Sequence, residues 1–146
     1  MPNRFLQRDK IDVLARLPLF EACPRRELAK VASITVESHR PAGTVLTRQG
    51  QEGGLLFVIL DGEADIQRDG RVLGTLKAGD VIGELSLIDG YPRSASVRAV
   101  TDVHLLGIPA SDFRGLVLRS PKLVRNLLQA LAHRIRDMDE RWPAEL

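Results

Sequence analysis

The chain has 146 residues, enough for one domain with a hydrophobic core, and 44% of its residues are hydrophobic against 27% charged. This balance excludes a largely disordered protein. The 21 basic and 19 acidic residues are interleaved along the chain and leave a net charge of only +2, which argues against a surface specialised for nucleic acid.

The N-terminal segment and the single cysteine bear on the location of the protein. Residues 1–10 contain no apolar stretch typical of a signal peptide, and the longest apolar run, Leu55–Leu60, is too short to span a bilayer. Cys23 is the only cysteine, so the chain cannot form an internal disulfide and suits a reducing compartment. We therefore expect a cytoplasmic protein without a membrane partner, in which Cys23 is a small apolar residue rather than a reactive thiol.

Two short helices are predicted over about residues 9–33. Apolar side chains at Ile11, Leu14 and Leu17 recur at helical spacing, and Pro18 is expected to end the first helix. Pro24 suits the first turn of the second helix, because the amide hydrogen that proline lacks would be unpaired there.

From Thr35 onward the hydrophobic period becomes that of strands. Short apolar or alternating segments are separated by turn residues about every 8–12 positions. Asp69-Gly70 lies between two such segments and is expected to form a two-residue hairpin turn. The pattern predicts a mainly β fold, an eight-stranded antiparallel jelly roll over about residues 34–109.

Two further helices are predicted over about residues 111–141, which completes a single domain spanning residues 1–146. Ser111 is a candidate N-cap for the first, and Ser120-Pro121 is expected to begin the longer second helix. Its apolar stripe runs through Leu123, Leu127, Leu131 and Ile135. This stripe has two open interpretations: it packs on the β-roll, or it forms a homodimer interface.

The segment from residue 80 to residue 97 has the composition of a phosphate site. Gly83 allows a sharp turn, and the short helical turn after it presents backbone N–H groups that attract anions. Arg93 offers the side chain best suited to bidentate phosphate binding, and Ser94 adds a hydroxyl donor. Glu84 can accept hydrogen bonds from ribose hydroxyls. Together these groups suit a ligand that joins a phosphate to a sugar.

This segment closely resembles the phosphate-binding cassette of cyclic nucleotide-binding domains. The family pattern of Gly-Glu-Leu-small-Leu followed by Arg-small-Ala-Ser/Thr-Val reads here as Gly83–Leu87 and Arg93–Val97. The resemblance includes the glycines of the early strands and extends from about Leu17 to Arg136. It implies a phosphate-binding cassette over residues 83–96, preceded by short helices and followed by two C-terminal helices.

The resemblance also implies the role of individual residues. Glu84 would bind the ribose 2′-hydroxyl, Arg93 would pair with the cyclic phosphate, and backbone amides would complete the cradle. The residues expected at the ligand are Gly83, Glu84, Leu85, Ser86, Arg93, Ser94 and Ala95. Surface roles are the alternative for the Glu84 and Arg93 side chains, and a strand cap is the alternative for Ser94.

The base pocket and the lid are less well marked in the sequence. Val72, Leu73 and Val81 are candidate pocket walls, and ordinary sandwich core is an equal alternative for them. In the family the last helix closes over the base, so the candidate lid residues are Leu131, Arg134 and Ile135.

Metal and catalytic chemistry find no support in the sequence. His39, His104 and His133 are far apart and lack metal-ligand spacing, so we expect no metal site. Neither a nucleophile motif nor a phosphate-binding loop of nucleotide hydrolases occurs, so we expect a protein that is not an enzyme and has no cofactor.

The resulting hypothesis is a cyclic nucleotide sensor that passes its signal through the C-terminal helix. The family favours cAMP over cGMP. The chain also resembles catabolite-activator-type transcription factors, but only residues 143–146 follow Trp142, so we expect no DNA binding through a helix-turn-helix. The alternative is an interaction domain that no longer binds ligand. The sequence does not identify the downstream protein partner.

Overall fold

The computed structural model describes residues 7–51, 54–83, 93 and 95–141. Its helical elements lie before and after the strands, as the sequence predicts. They are α1 (Gln7–Ala15), a 3-10 turn (Pro18–Phe20), α2 (Arg25–Ile34), α3 (Ala110–Leu118) and α4 (Pro121–Arg141). Among these described helices, none combines the length and the apolar character needed to cross a membrane.

Eight strands within the described residues form two antiparallel sheets, which confirms the predicted jelly-roll class. One sheet has the order β1-β8-β3-β6 and the other β2-β7-β4-β5. The strands are β1 (Val36–Arg40), β2 (Val45–Thr47), β3 (Leu55–Asp61), β4 (Ala64–Arg68), β5 (Arg71–Leu76), β6 (Val81–Ile82), β7 (Ser96–Ala99) and β8 (Val103–Pro109).

Strand β3 is buried on both faces and divides two hydrophobic cores. Because successive side chains of a strand point to opposite faces, Leu56 and Val58 pack with the helices. Phe57 and Ile59 pack against the second sheet. This explains why β3 reads as a continuous apolar run instead of an alternating one.

The β4–β5 hairpin confirms the predicted turn at Asp69-Gly70. Both residues have positive φ angles, 52° and 79°. A type I′ hairpin turn requires positive φ at both central residues, and aspartate and glycine adopt that conformation more readily than most residues.

For the C-terminal helices, one expectation is wrong and one open alternative is decided in part. Ser111 is not an N-cap: α3 already begins at Ala110, after Pro109, which makes no side-chain cap hydrogen bond. In α4, the Leu123 and Leu127 side chains are 1% and 5% exposed and belong to the helical core, so the packing interpretation holds for that part of the stripe. Ser120 does cap α4, since its Oγ accepts a 3.3 Å hydrogen bond from Leu123 N.

Candidate functional site

The Arg93 backbone is fixed against the connection between β2 and β3. Arg93 N donates to Gln51 O at 2.7 Å, and Gly50 N donates to Arg93 O at 2.9 Å. This pair of backbone hydrogen bonds holds the start of the Arg93–Val97 motif beside a turn that lies more than 40 positions earlier in the chain. The side chain therefore starts from a defined position.

The Arg93 guanidinium is buried, with 8% of the residue exposed. Its Nη2 donates a hydrogen bond to Leu55 O at the start of β3. Gly83 lies directly against it with a φ of +98°, and a Cβ at this position would lie 2.9 Å from Arg93 Cζ and overlap its Nη1. Only glycine therefore permits this close approach of backbone and guanidinium.

This arrangement suits an anion. A guanidinium carries five N–H donors in a planar fork and can bind a carbonyl and an anion at the same time. The structure brings together Gly83 and Arg93, two of the residues expected at the ligand.

The remaining cassette residues are described only in part. Ala95 forms a half-buried bend immediately before β7. The other four expected ligand residues lie outside the described residues: Glu84, Leu85, Ser86 and Ser94.

The connection after β2 contains polar residues that sequence reasoning did not single out. Gln49 N donates to Ser96 Oγ at 2.8 Å, and the Gln49 side-chain amide bonds to Asp69 in the β4–β5 turn. Thr47 is 6% exposed, and its hydroxyl oxygen has no hydrogen-bond partner within the described part of the chain. A hydroxyl inside an apolar strand was the available signal for Thr47, whereas the contacts of Gln49 are visible only in three dimensions.

The candidate pocket walls occupy two different environments. Val72 and Leu73 on β5 are 59% and 39% exposed, so the core alternative is wrong for both. Val81 is half-buried and packs against the helical core through β6. Of the candidate lid residues on α4, Leu131 is half-buried and Ile135 is 59% exposed, while the Arg134 side chain lies outside the described part.

Two of the three histidines, although far apart in the sequence, are neighbours in space. His39 and His104 pair across β1 and β8, and their rings stack with centroids 4.1 Å apart. Glu37 Oε2 lies 2.6 Å from His104 Nε2. The expectation that the histidines lie far apart is therefore wrong for this pair, because antiparallel pairing joins residues regardless of their separation in sequence.

Cys23 has the properties expected of an unreactive thiol. Burial raises the pKa of the Cys23 thiol, and the nearby Glu27 carboxylate raises it further, while Lys122 acts in the opposite direction. A raised pKa favours the protonated thiol, which is the poor nucleophile of the two forms. The thiol lies against the helical core, remote from the Arg93 region in the chain.

Comparison with known proteins agrees with this geometry. The profile of the family described as "Cyclic nucleotide-binding domain" matches residues 37–120, which is more than half of the chain. The chain belongs to the cyclic nucleotide-binding domain family. As a member, it is a regulatory binding domain, and the site formed by Gly83 and Arg93 lies within the matched region.

Named relatives of this cyclic nucleotide-binding domain differ in what surrounds the domain. It is 33% identical over 127 residues to the cyclic AMP receptor protein of Thermus thermophilus, covering 84% of this chain and 59% of the receptor. It is 31% identical over 108 residues to a cGMP-dependent protein kinase of Caenorhabditis elegans, covering 74% of this chain and 14% of the kinase. The chain thus spans at most about three-fifths of either relative.

A solved structure of similar extent supports the same fold. The crystal structure of a cyclic nucleotide-binding domain from Methylobacillus flagellatus matches with a TM-score of 0.78 and 28% identity. The match covers 96% of this chain and 84% of that domain. The similarity therefore includes the helices on both sides of the β-roll.

Proposed function

We propose that this domain binds cAMP in preference to cGMP, holds the cyclic phosphate with residues 83–96 and passes the signal through α4. The observation that carries the proposal is the buried Arg93 guanidinium against Gly83. We further propose that residues 1–146 act as one domain, since helices from both ends share one core with β3 and β8. We propose the cytoplasm as its location because a single cysteine suits a reducing compartment.

Phosphate binding would act on three segments at once. Arg93 is tied to the β2–β3 connection through Gln51 and to β3 through Leu55, and it contacts Gly83 at the end of β6. A phosphate that binds this guanidinium makes charge-assisted hydrogen bonds, which are about twice as strong as neutral ones. Ligand binding is therefore expected to order these segments around Arg93.

The route of the signal is suggested by how α4 is anchored. Asn126 Nδ2 donates to Leu19 O at 2.8 Å and to Glu21 O at 2.9 Å, and Ser120 Oγ donates to Glu27 Oε2 at 2.7 Å. The first half of α4 is thus bound to the N-terminal helices, while Ile135 further along is exposed. A ligand that binds one arrangement of α4 more tightly shifts the population toward it.

The preference for cAMP rests on the relatives. Relatives named for cAMP include the cyclic AMP receptor protein at 33% identity and a cAMP-dependent protein kinase regulatory subunit of Aspergillus niger at 35%, against 31% for the cGMP-dependent kinase. Calorimetric titration of the full chain with each nucleotide tests the preference directly. We expect saturable, micromolar or tighter binding of cAMP and a weaker affinity for cGMP. The reverse order of affinities would make cGMP the preferred ligand.

The competing function is an interaction domain that keeps the family fold without binding nucleotide. In that case neither cAMP nor cGMP would produce heat at any concentration tested. The search would then move to protein partners, with the exposed face of α4 as the first surface to examine.

We also propose that the domain dimerises through α4, by a row of residues that keeps Leu131 and Ile135 of the predicted stripe and replaces the buried Leu123 and Leu127 by Val124 and Leu128. Leu118 at the end of α3 and Val124, Leu128 and Ile135 on α4 are 78%, 38%, 62% and 59% exposed. Val124, Leu128, half-buried Leu131 and Ile135 are spaced four, three and four residues apart, the repeat of a two-helix seam.

Light scattering tests the dimer, with Leu128→Glu as the disrupting variant and Gln129→Glu as its charge-matched control. Gln129 is the exposed neighbour of Leu128, so the control adds the same charge one position away. We expect a dimer that only Leu128→Glu dissociates. A strict monomer with and without cAMP would contradict the dimer and leave nucleotide binding unaffected.

A further inference from the structure

We propose that Glu37, His39 and His104 form a binding site for a divalent transition-metal cation such as Zn²⁺. The site is independent of the nucleotide site and of the function proposed for it. It is built from two neighbouring strands, β1 and β8, at the end of the sheet where β1 leads into the turn at Pro41.

The strand register brings the three side chains to one face of the sheet. His39 and His104 are directly opposite each other, and Glu37 precedes His39 by two positions, so its side chain lies on the same face. Glu37 Oε2 lies 2.6 Å from His104 Nε2 and 3.9 Å from His39 Nε2. Each residue offers one ligand atom, and all three atoms lie within 4.8 Å of one another.

These separations fit a tetrahedral cation after small side-chain movements. With bonds of about 2.0–2.2 Å to nitrogen and oxygen, tetrahedral ligand atoms lie about 3.3 Å apart. The carboxylate must withdraw slightly from His104, and His39 must approach it. The imidazole rings are parallel to within 9°, so rotation about the side-chain bonds is needed to turn both lone pairs toward one point.

Burial and local charge also suit a cation. The side chains of Glu37 and His104 are 12% and 16% exposed, while His39 at 48% leaves one side of the cluster open to solvent. The two histidines border a pocket of about 330 Å³ that Asp61 and Asp102 also line. Arg40 lines the pocket as well. The three carboxylates of Asp61, Asp102 and Glu37 outnumber this one positive charge, so the local net charge favours a cation.

The donor set determines the class of metal. Two imidazoles and one carboxylate suit zinc and its neighbours in the first transition row, whereas Mg²⁺ and Ca²⁺ prefer oxygen ligands throughout. Three protein ligands leave a fourth position for water. A cation bound here would join β1 to β8. It would stabilise the fold, because the site exists in the folded chain and not in the unfolded one.

Zinc titration of metal-free, tag-free protein tests the site, with calorimetry and thermal unfolding as readouts. We expect one Zn²⁺ per chain, a raised midpoint of unfolding, and no displacement by excess Mg²⁺. His39→Asn and Glu37→Gln should each weaken Zn²⁺ binding at least about tenfold. Both changes keep a polar group of similar size, and His39 is half-exposed, so both variants are expected to fold.

The controls remove the third histidine and the cysteine, the remaining side chains with a nitrogen or sulfur ligand for zinc. His133→Asn changes the exposed histidine on α4, and Cys23→Ser changes the only thiol. Both are expected to bind Zn²⁺ like the parent protein. The proposal is overturned if Zn²⁺ does not saturate, if either His39→Asn or Glu37→Gln keeps its affinity, if a control loses it, or if Mg²⁺ competes.

Discussion

The ligand sites proposed at the two ends of strand β3 would bind ligands of opposite charge. At the Leu55 end, the Arg93 guanidinium presents N–H donors and a positive charge. The Asp61 end lies about 20 Å away, and His104 is paired there with Asp61. Together with Glu37 and His39, His104 offers ligand atoms for a cation. Strand β3 thus separates the proposed anion site from the proposed cation site.

The two ends also differ in how they are built. Arg93 is held by connections between strands, through backbone hydrogen bonds to residues 50 and 51 and close contact with Gly83. Glu37, His39 and His104 are held by the regular register of β1 and β8. Connections can rearrange when a ligand binds, whereas a strand pair is stiff, so we expect the Arg93 end to respond to its ligand and the histidine end to brace the fold.

The largest effect is expected from placing a methyl group between Gly83 and Arg93. Gly83→Ala should lower cAMP affinity by roughly 30-fold or more, because the new Cβ displaces the guanidinium from its position. Gly79→Ala is the matched control: its φ is +95° against +98° for Gly83, and a Cβ there meets nothing within 4 Å. Equal losses in both variants, measured by calorimetry, would show that backbone strain and not the Arg93 contact is responsible.

A smaller loss of cAMP affinity is expected when residue 93 keeps its positive charge but loses the planar guanidinium group. Arg93→Lys retains a cation but cannot donate two parallel hydrogen bonds to phosphate, so we expect cAMP affinity to fall about tenfold. Arg98→Lys, at an exposed position of β7, should have no effect in the same titration. Full affinity in Arg93→Lys would mean that Arg93 contributes only a point charge.

A stability measurement separates a formed from an unformed hydrogen bond at the two ends of β2. Thr47→Val replaces by a methyl group a buried hydroxyl that has no hydrogen-bond partner among the residues the structure describes. It should raise the free energy of unfolding without ligand by about 1 kcal/mol. Thr44→Val instead removes the 2.7 Å hydrogen bond from Thr44 Oγ1 to Pro41 O and should lower it by about 1 kcal/mol. Denaturant unfolding of both variants measures the difference; destabilisation by Thr47→Val would show that its hydroxyl is satisfied.

The smallest effect on cAMP affinity is expected from changes in the histidine cluster at the opposite end of β3. Glu37→Gln and His39→Asn should change cAMP affinity by less than about twofold, since sites this far apart without shared partners behave additively. The same titration with and without saturating Zn²⁺ checks the reverse direction. A larger change in cAMP affinity in either experiment would show that the two ends are coupled and would contradict their independence.

The sequence predicts a ligand site around Arg93 but does not reveal the cluster of Glu37, His39 and His104, for a physical reason. The cassette residues are grouped within one short segment, so a linear pattern reveals them, and the hairpin at Asp69-Gly70 is equally local. His39 and His104 are joined only by the β1–β8 register, which no local pattern specifies. The apolar stripe of α4 was visible, but which leucines face the core depended on how the helix packs, and exposed Leu128 lies beside buried Leu127.

Calorimetric titration of the Arg93→Ala variant with cAMP, beside the parent protein and Arg98→Ala, tests the central claim most directly. If Arg93 binds the cyclic phosphate, cAMP affinity falls by roughly 30-fold or more in Arg93→Ala alone, as expected for removing one partner of a buried charge pair. Circular dichroism confirms that all three proteins are folded. Unchanged cAMP affinity in a folded Arg93→Ala protein would contradict the assignment of the phosphate to this end of β3.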